Sequence, residues 1–175
     1  MTLDSDVLAV LETAKGWSAG DTAVGVVKSL SGSSPKVWLN GDSRRVFQWA
    51  SVSKLLVAYA SLLAVEEGTF ALDDEAGPPG STFRHLLAHA SGLGPDAGPP
   101  LTRPGRRRIY SNAGYELVAA LLSDKASMPF VEYLKAGVLD PLGMSSTDLP
   151  SGASPASGAE GNIYDLLSFT SELMR

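Results

Sequence analysis

The stretch Phe47-Gln48-Trp49-Ala50-Ser51-Val52-Ser53-Lys54 stands directly before the most regular helical pattern of the chain. From Val52 the apolar residues recur at i+3, i+4, i+7, i+10 and i+11, which is the spacing of one face of an α-helix. Gly68 is placed to end that helix. Because residues three apart on a helix are neighbours, its first turn brings Ser51 and Lys54 together. The stretch therefore predicts a helix that opens with a serine and lysine pair.

This pair has the residue types of a nucleophile and its base. A serine hydroxyl becomes nucleophilic when a base takes its proton, and Lys54 can do so in its neutral amine form. Ser51 at a helix N-terminus also lies where free backbone N–H groups stabilise an oxyanion. A plainer interpretation stays open, in which Ser51 caps the helix and Lys54 is solvated.

Two other nucleophile patterns lack such a setting. The Ser-x-x-Lys of residues 33–36 contains a proline and falls in a predicted turn, so no helix holds its serine and lysine on one face. The Gly-x-Ser-x-Gly around Ser18 needs a turn from strand into helix, whereas here a predicted helix precedes a predicted strand. We therefore set both patterns aside.

Tyr110-Ser111-Asn112 is a second candidate group, between an arginine-rich loop and the helix predicted from Leu117. Tyrosine can carry a proton, and an asparagine amide both donates and accepts hydrogen bonds. Side chains on such a loop can project into a cleft. A structural turn tyrosine is the plainer interpretation of Tyr110.

The N-terminal part predicts a helix followed by a hairpin. The helical pattern starts at Leu3 and stops at Gly16, and β-branched residues predict strands over 22–30 and 36–40 around a turn at 32–35. These are the two convincing strands of the whole sequence. Since an isolated hairpin is marginal in water, the pattern indicates a sheet that lacks members.

The remainder is mostly helical. Further helices are predicted from Ser81 or Thr82 through His89, after Asn112, over 130–138 and from Leu166 to the last residue. Residues 151–161 are rich in Gly, Ala, Ser and Pro without periodicity, which predicts a loop or linker.

Composition excludes several classes of function. The chain of 175 residues has 14 Lys and Arg against 19 Asp and Glu, so we expect no general attraction to nucleic acid or to an anionic membrane. It has no Cys and two His, which leaves no thiolate or multi-histidine metal centre, and we predict neither a metal nor a cofactor. No apolar run is long enough to span a bilayer, and residues 1–6 do not resemble a signal peptide. A cytoplasmic location is expected, with export left open.

In order and spacing, the motifs resemble the serine β-lactamase and penicillin-binding protein superfamily, in its branch of class C-like β-lactamases, D-Ala-D-Ala carboxypeptidases and related esterases. The matching stretches are 47–54, Glu66-Glu67-Gly68, Leu72-Asp73-Asp74, His85 to Leu93, Pro104-Gly105, Tyr110 to Tyr115 and Pro141 to Met144. The resemblance implies an α+β fold of the β-lactamase/transpeptidase type, with an antiparallel sheet flanked by helices and an all-helical region.

The resemblance also implies a role for each candidate residue. Ser51 would be the acylated nucleophile and Lys54 its proton acceptor. Tyr110 would protonate the leaving group, and Asn112 would bind Lys54 and the substrate amide. His89 belongs to a family marker sequence, and we interpret it as structural because the mechanism has no place for it.

One family motif is missing, namely Lys or His, a variable residue and Gly on a strand beside the site. Lys135-Ala136-Gly137 falls in the predicted helix over 130–138 instead. We expect residues 1–50 to form the helix and hairpin of the α/β part, 51–162 the helical region, and 163–175 the start of the return to the α/β part. A C-terminal complementing segment or second chain would then supply the rest of the sheet, and the chain alone is expected to be inactive.

The predicted function is a serine acyl-enzyme hydrolase acting on β-lactams, D-Ala-D-Ala peptides or small esters. The alternative is a non-catalytic binding or scaffolding protein of the same fold, against which the presence of Ser51, Lys54, Tyr110 and Asn112 argues. Four arginines could meet a substrate carboxylate, although a solvated loop is the plainer interpretation: Arg103, Arg106, Arg107 and Arg108.

Overall fold

The computed structural model describes residues 3–30 and 33–175, without the side chains of residues 3, 30 and 33. The chain divides into two compact units. The hairpin unit comprises Met1–Gln48, Leu139–Asp148 and Glu160–Arg175, and the helical unit comprises Trp49–Val138 and Leu149–Ala159. Among the described residues no helix is long and apolar enough to cross a membrane.

The hairpin unit contains every strand of the described residues. Its elements are α1 (Leu3–Glu12), β1 (Ala23–Leu30), β2 (Ser33–Gly41), β3 (Phe47–Gln48), β4 (Glu160–Gly161) and α6 (Ile163–Glu172). Strands β1 and β2 are antiparallel, with Val26 opposite Trp38, and β3 pairs with β4 in a second small sheet. Helix α6 lies close to β1 because Gly25 has no side chain there: a Cβ would be 2.7 Å from the Leu167 side chain.

The predicted turn over 32–35 is wrong where it can be checked. Gly32 lies outside the described residues, but Ser33, Ser34 and Pro35 belong to β2. The register shifts opposite Pro35, between Lys28 and Leu30 of β1. Such an irregularity leaves a residue out of the hydrogen-bond ladder, so a strand accommodates a proline that has no N–H to donate.

The helical unit is built on a buried apolar helix. Its elements are α2 (Ser53–Glu66), α3 (Phe83–Leu87), α4 (Asn112–Ala126) and α5 (Phe130–Leu134), which continues as a π-helix over Lys135–Leu139. The core consists of fully buried side chains from these helices: Leu56, Val57, Ala60, Phe83, Leu86, Val118, Leu122 and Leu134. The expected end of α2 is confirmed, since Gly68 has φ +76°.

Three predicted helix boundaries need correction. The first turn before α2 is a 3₁₀ turn, Ala50–Val52, so Ser51 precedes the α-helix. Helix α3 ends at Leu87 rather than His89, because His89 adopts φ +58°. The helix over 130–138 changes to π-helical geometry at Lys135, and Lys135-Ala136-Gly137 therefore lies on a helix and not on a strand. An α+β fold with a two-stranded hairpin agrees with the sequence prediction.

Candidate active site

Ser51 is exposed in the 3₁₀ turn before α2, and hydrogen bonds of its neighbours hold this turn. The Ser53 hydroxyl donates to the Ala50 carbonyl at 2.6 Å and accepts the Ala159 N–H at 2.9 Å. The Trp49 N–H donates to the Ala159 carbonyl at 2.8 Å. Ala50 itself has φ +44°, a left-handed conformation that costs energy for a residue with a side chain. The strained turn is thus fixed on both sides of Ser51.

Lys54 is 5% exposed, and three oxygen atoms surround its Nζ. Nζ lies 3.3 Å from Ser51 Oγ, 2.7 Å from Asn112 Oδ1 and 2.9 Å from the Ala156 carbonyl oxygen. All three are neutral oxygens. A neutral amine has two N–H bonds and one lone pair, so the amide and the carbonyl can accept both hydrogens while the lone pair faces the Ser51 hydroxyl. The geometry thus allows Lys54 to take a proton from Ser51.

Tyr110 covers the other side of the lysine. Lys54 Nζ lies 4.6 Å from the centre of the Tyr110 ring, and Tyr110 is 50% exposed. In its ammonium form Lys54 has a third N–H for the Tyr110 phenol oxygen. Hydrogen bonds from this lysine, and then from Ser51, lower the pKa of the Tyr110 phenol below its ordinary value. A phenol placed in this way can exchange a proton with a group bound at Ser51.

The loop that carries Tyr110 and Asn112 is held through Ser111, the N-cap of α4. The buried Ser111 hydroxyl accepts the Gly114 N–H at 2.8 Å and donates to the Gly94 carbonyl at 2.7 Å. Such capping satisfies backbone groups that the first turn of a helix leaves open. Asn112 is the first residue of α4, and its position there directs Oδ1 to Lys54.

His89 and the arginines lie around this loop. His89 is buried, and its Nδ1 accepts the Ser111 N–H at 3.1 Å. Burial, followed by the charges of Arg108 and Lys54, lowers the pKa of His89. The four arginines named above are exposed, and of these Arg108 acts on His89.

In the predicted loop or linker over 151–161, residues 151–159 form a loop with buried contacts, and Glu160–Gly161 forms β4. Ala156 and Ala159 are fully buried, and their backbone groups contact Lys54, Ser53 and Trp49. The loop is fixed further by Ser154, whose hydroxyl donates to Glu116 at 2.7 Å. The sequence did not indicate this role because the contacts come from backbone atoms, which every residue type has.

Serine β-lactamases and penicillin-binding proteins combine two features of this chain. One is an antiparallel hairpin with helices packed against it, and the other is a helical unit in which Ser-x-x-Lys precedes a buried helix. The chain belongs to the beta-lactamase family, whose model, described as Beta-lactamase, matches residues 8–165. The members of this superfamily are serine hydrolases.

Three similar proteins illustrate the relationship. A beta-lactamase from Mycobacterium bovis has a structure with TM-score 0.87 and 43% identity, and the match covers 94% of this chain and 60% of that one. Penicillin-binding protein 4* from Bacillus subtilis (strain 168) is 27% identical in a match that covers 58% of this chain and 30% of the relative. The D-alanine carboxypeptidase AmpC from Burkholderia cenocepacia shares the fold, with TM-score 0.76, 23% identity and coverage of 95% and 63%. The chain thus spans less than two thirds of each relative.

Proposed function

We propose that this chain carries the acylation machinery of a serine hydrolase, with Ser51 as nucleophile and Lys54 as its base. The observation that carries the proposal is the set of three oxygens around Lys54 Nζ, of which one is Ser51 Oγ. If Lys54 were simply solvated, its side chain would be exposed. Instead Lys54 is 5% exposed, and an amide oxygen and a carbonyl oxygen accept hydrogen bonds from its Nζ.

In the proposed reaction, Ser51 Oγ attacks the carbonyl carbon of an amide, lactam or ester, and its proton passes to Lys54 Nζ. The carbonyl oxygen becomes an oxyanion, which backbone N–H groups at the start of α2 stabilise. The bond to the leaving group then breaks as Tyr110 gives that group a proton, and Lys54 passes the proton it took from Ser51 to the Tyr110 phenolate. Water cleaves the resulting serine ester, which releases the acid and restores the Ser51 hydroxyl.

The substrates that we propose are β-lactams, D-Ala-D-Ala peptides or small esters. The first two substrates are supported by two of the similar proteins, which are a beta-lactamase and a D-alanine carboxypeptidase. Asn112 would donate its amide N–H to the substrate, because its Oδ1 is occupied by Lys54.

We further propose that a complementing segment, as part of a longer chain or as a second chain, completes the site. In the described residues β1 pairs with β2 alone, and the outer edge of such a strand can accept another strand. The third family motif lies on a strand in the relatives' superfamily, whereas Lys135-Ala136-Gly137 is helical here. The segment would supply this motif and the second oxyanion donor.

The experiment is covalent labelling with a fluorescent penicillin and with a fluorophosphonate. The chain is tested alone and co-expressed with the part of the Mycobacterium bovis protein that the match leaves uncovered. We expect Ser51→Ala to abolish labelling and Ser18→Ala to leave it unchanged, because Ser18 is the exposed serine of the discarded motif. No Ser51-dependent adduct under either condition would favour the non-catalytic alternative.

A further inference from the structure

We propose that His89 is a positioning residue, whose neutral imidazole holds the Tyr110–Asn112 loop against Lys54 through a hydrogen bond at Nδ1. This proposal rests on the function proposed above, because it assigns His89 to the support of that site. It gives a task to a buried titratable side chain that the reaction itself does not use.

Four contacts place His89 beneath the loop. Its Nδ1 accepts the Ser111 N–H at 3.1 Å, and its carbonyl accepts the Ile109 N–H at 2.8 Å. Its ring lies 4.7 Å from the Tyr110 ring and 5.0 Å from the Tyr115 ring, centre to centre. The backbone adopts φ +58°, so the histidine forms part of a turn whose carbonyl and side chain both face the loop.

The bond to Ser111 acts on both proposed catalytic side chains of the loop. The Ser111 N–H belongs to the peptide that joins Ser111 to Tyr110, and Asn112 follows directly. The Ser111 hydroxyl is hydrogen-bonded to the Gly94 carbonyl and the Gly114 N–H. The Ser111 backbone N–H is hydrogen-bonded to the His89 imidazole instead. Loss of this bond would free the peptide that sets the direction of Tyr110 and the start of α4.

The direction of the bond fixes the protonation state. A backbone N–H can only donate, so Nδ1 carries a lone pair and the ring proton is on Nε2. The groups that face the ring are Lys54 on α2, Tyr115 on α4, and Tyr110 and Arg108 on the loop. Burial, followed by the charges of Arg108 and of Lys54 in its ammonium form, lowers the pKa of His89. An imidazolium would turn a second N–H toward the Ser111 N–H and break the contact.

Two substitutions separate this role from simple packing. Asparagine tolerates a left-handed conformation and carries an acceptor oxygen, so His89→Asn should retain the bond. Leucine fills the space without an acceptor, so His89→Leu should lose it. His85→Asn is the matched control, because His85 Nδ1 also accepts a backbone N–H, that of Thr82 at 3.2 Å, at the start of α3.

The first test is independent of activity. The chain has two histidines, so ¹⁵N-histidine labelling gives two imidazole spin systems, which His85→Asn assigns. We expect His89 to show the Nε2–H tautomer at neutral pH and to titrate below an ordinary histidine. The Ser111 amide and Asn112 side-chain resonances should shift with the same midpoint. A protonated Nδ1 at neutral pH, or a titration that leaves both resonances unmoved, would overturn the proposal.

The second test is the rate at which the fluorescent penicillin acylates the chain that is co-expressed with the complementing segment. His89→Leu should lower the acylation rate constant about tenfold, the scale of one lost hydrogen bond, without weakening probe binding. His89→Asn should restore the rate and remove the His89 step at acidic pH. Equal rates for His89→Leu and wild type would refute the role. If the wild type takes no label, the proposed function fails, and the resonance test alone decides on His89.

Discussion

At the scale of single residues, the account depends on the neutral surroundings of Lys54. Its amine contacts a hydroxyl, an amide and a carbonyl, and the described contacts give it no carboxylate partner. A carboxylate at hydrogen-bond distance would favour the ammonium form, which has no lone pair to accept a proton. The amide of Asn112 can therefore hold Lys54 without suppressing its action as a base.

The first prediction concerns this amide. Asn112→Asp places a carboxylate 2.7 Å from Nζ, so the acylation rate at neutral pH should fall by at least about tenfold and should recover as the pH is raised. Asn112→Leu removes the acceptor without adding charge and should lower the rate with little change in pH dependence. Stopped-flow labelling across a pH series measures both. The same pH dependence in the two variants would contradict the proposed role of the neutral amide.

The second prediction concerns Tyr110. Hydrogen bonds from Lys54 and Ser51 lower the pKa of its phenol, so the phenol loses its proton at a lower pH than an ordinary tyrosine. If Tyr110 protonates the leaving group, acylation should decline above this pKa, because the phenolate has no proton to give. Tyr110→Phe should lower the rate at neutral pH and abolish the basic decline. A basic decline that persists in Tyr110→Phe would assign it to another group.

At the scale of elements, the site consists of two helix starts joined by the side-chain hydrogen bond between Lys54 and Asn112. Serine residues cap or brace both starts: Ser53 holds the turn before α2, and Ser111 caps α4. Backbone hydrogen bonds hold the loop before Tyr110 close to the preceding residues. The Leu101 N–H donates to the Gly92 carbonyl, and the Gly105 N–H donates to the Ala90 carbonyl.

The third prediction tests this packing. Gly92 has φ +92°, and a Cβ there would be 2.1 Å from the Thr102 carbonyl oxygen. Gly80 has a similar φ of +80° but open space around its Cβ position. Gly80→Ala should therefore cost about 1–2 kcal/mol for the left-handed conformation alone. Gly92→Ala should lower the free energy of unfolding further, because backbone must move. Urea unfolding of both variants measures the difference, and equal losses would contradict the described contact.

The sequence predicted what depends on side-chain type and periodicity. Apolar spacing indicated α2, and the spacing of Ser51 and Lys54 indicated their proximity. The backbone carbonyl of Ala156 gave no signal, since an alanine contributes the same backbone atoms wherever it stands. The predicted turn was wrong at residues 33–35 because Pro35 signals a turn locally, whereas an irregular register allows β2 to contain this proline.

At the scale of the whole molecule, composition and fold give different information. A net charge of −5 and the absence of cysteine removed classes of function but indicated no activity. The family followed from the order of motifs over residues 47–144, and the match to residues 8–165 agrees with it. The α+β class was implied by the same resemblance, whereas the roles of the site residues require chemistry on the completed protein.

The central claim is that Ser51 forms the covalent acyl-enzyme, and peptide mapping by mass spectrometry tests it most directly. The completed protein is incubated with a penicillin, which forms an ester with serine, and is then digested and sequenced by fragmentation. The account predicts one adduct per chain, on the Ser51 hydroxyl, which Ser51→Ala eliminates and Ser18→Ala retains. An adduct on another residue, or one that survives in Ser51→Ala, would contradict it.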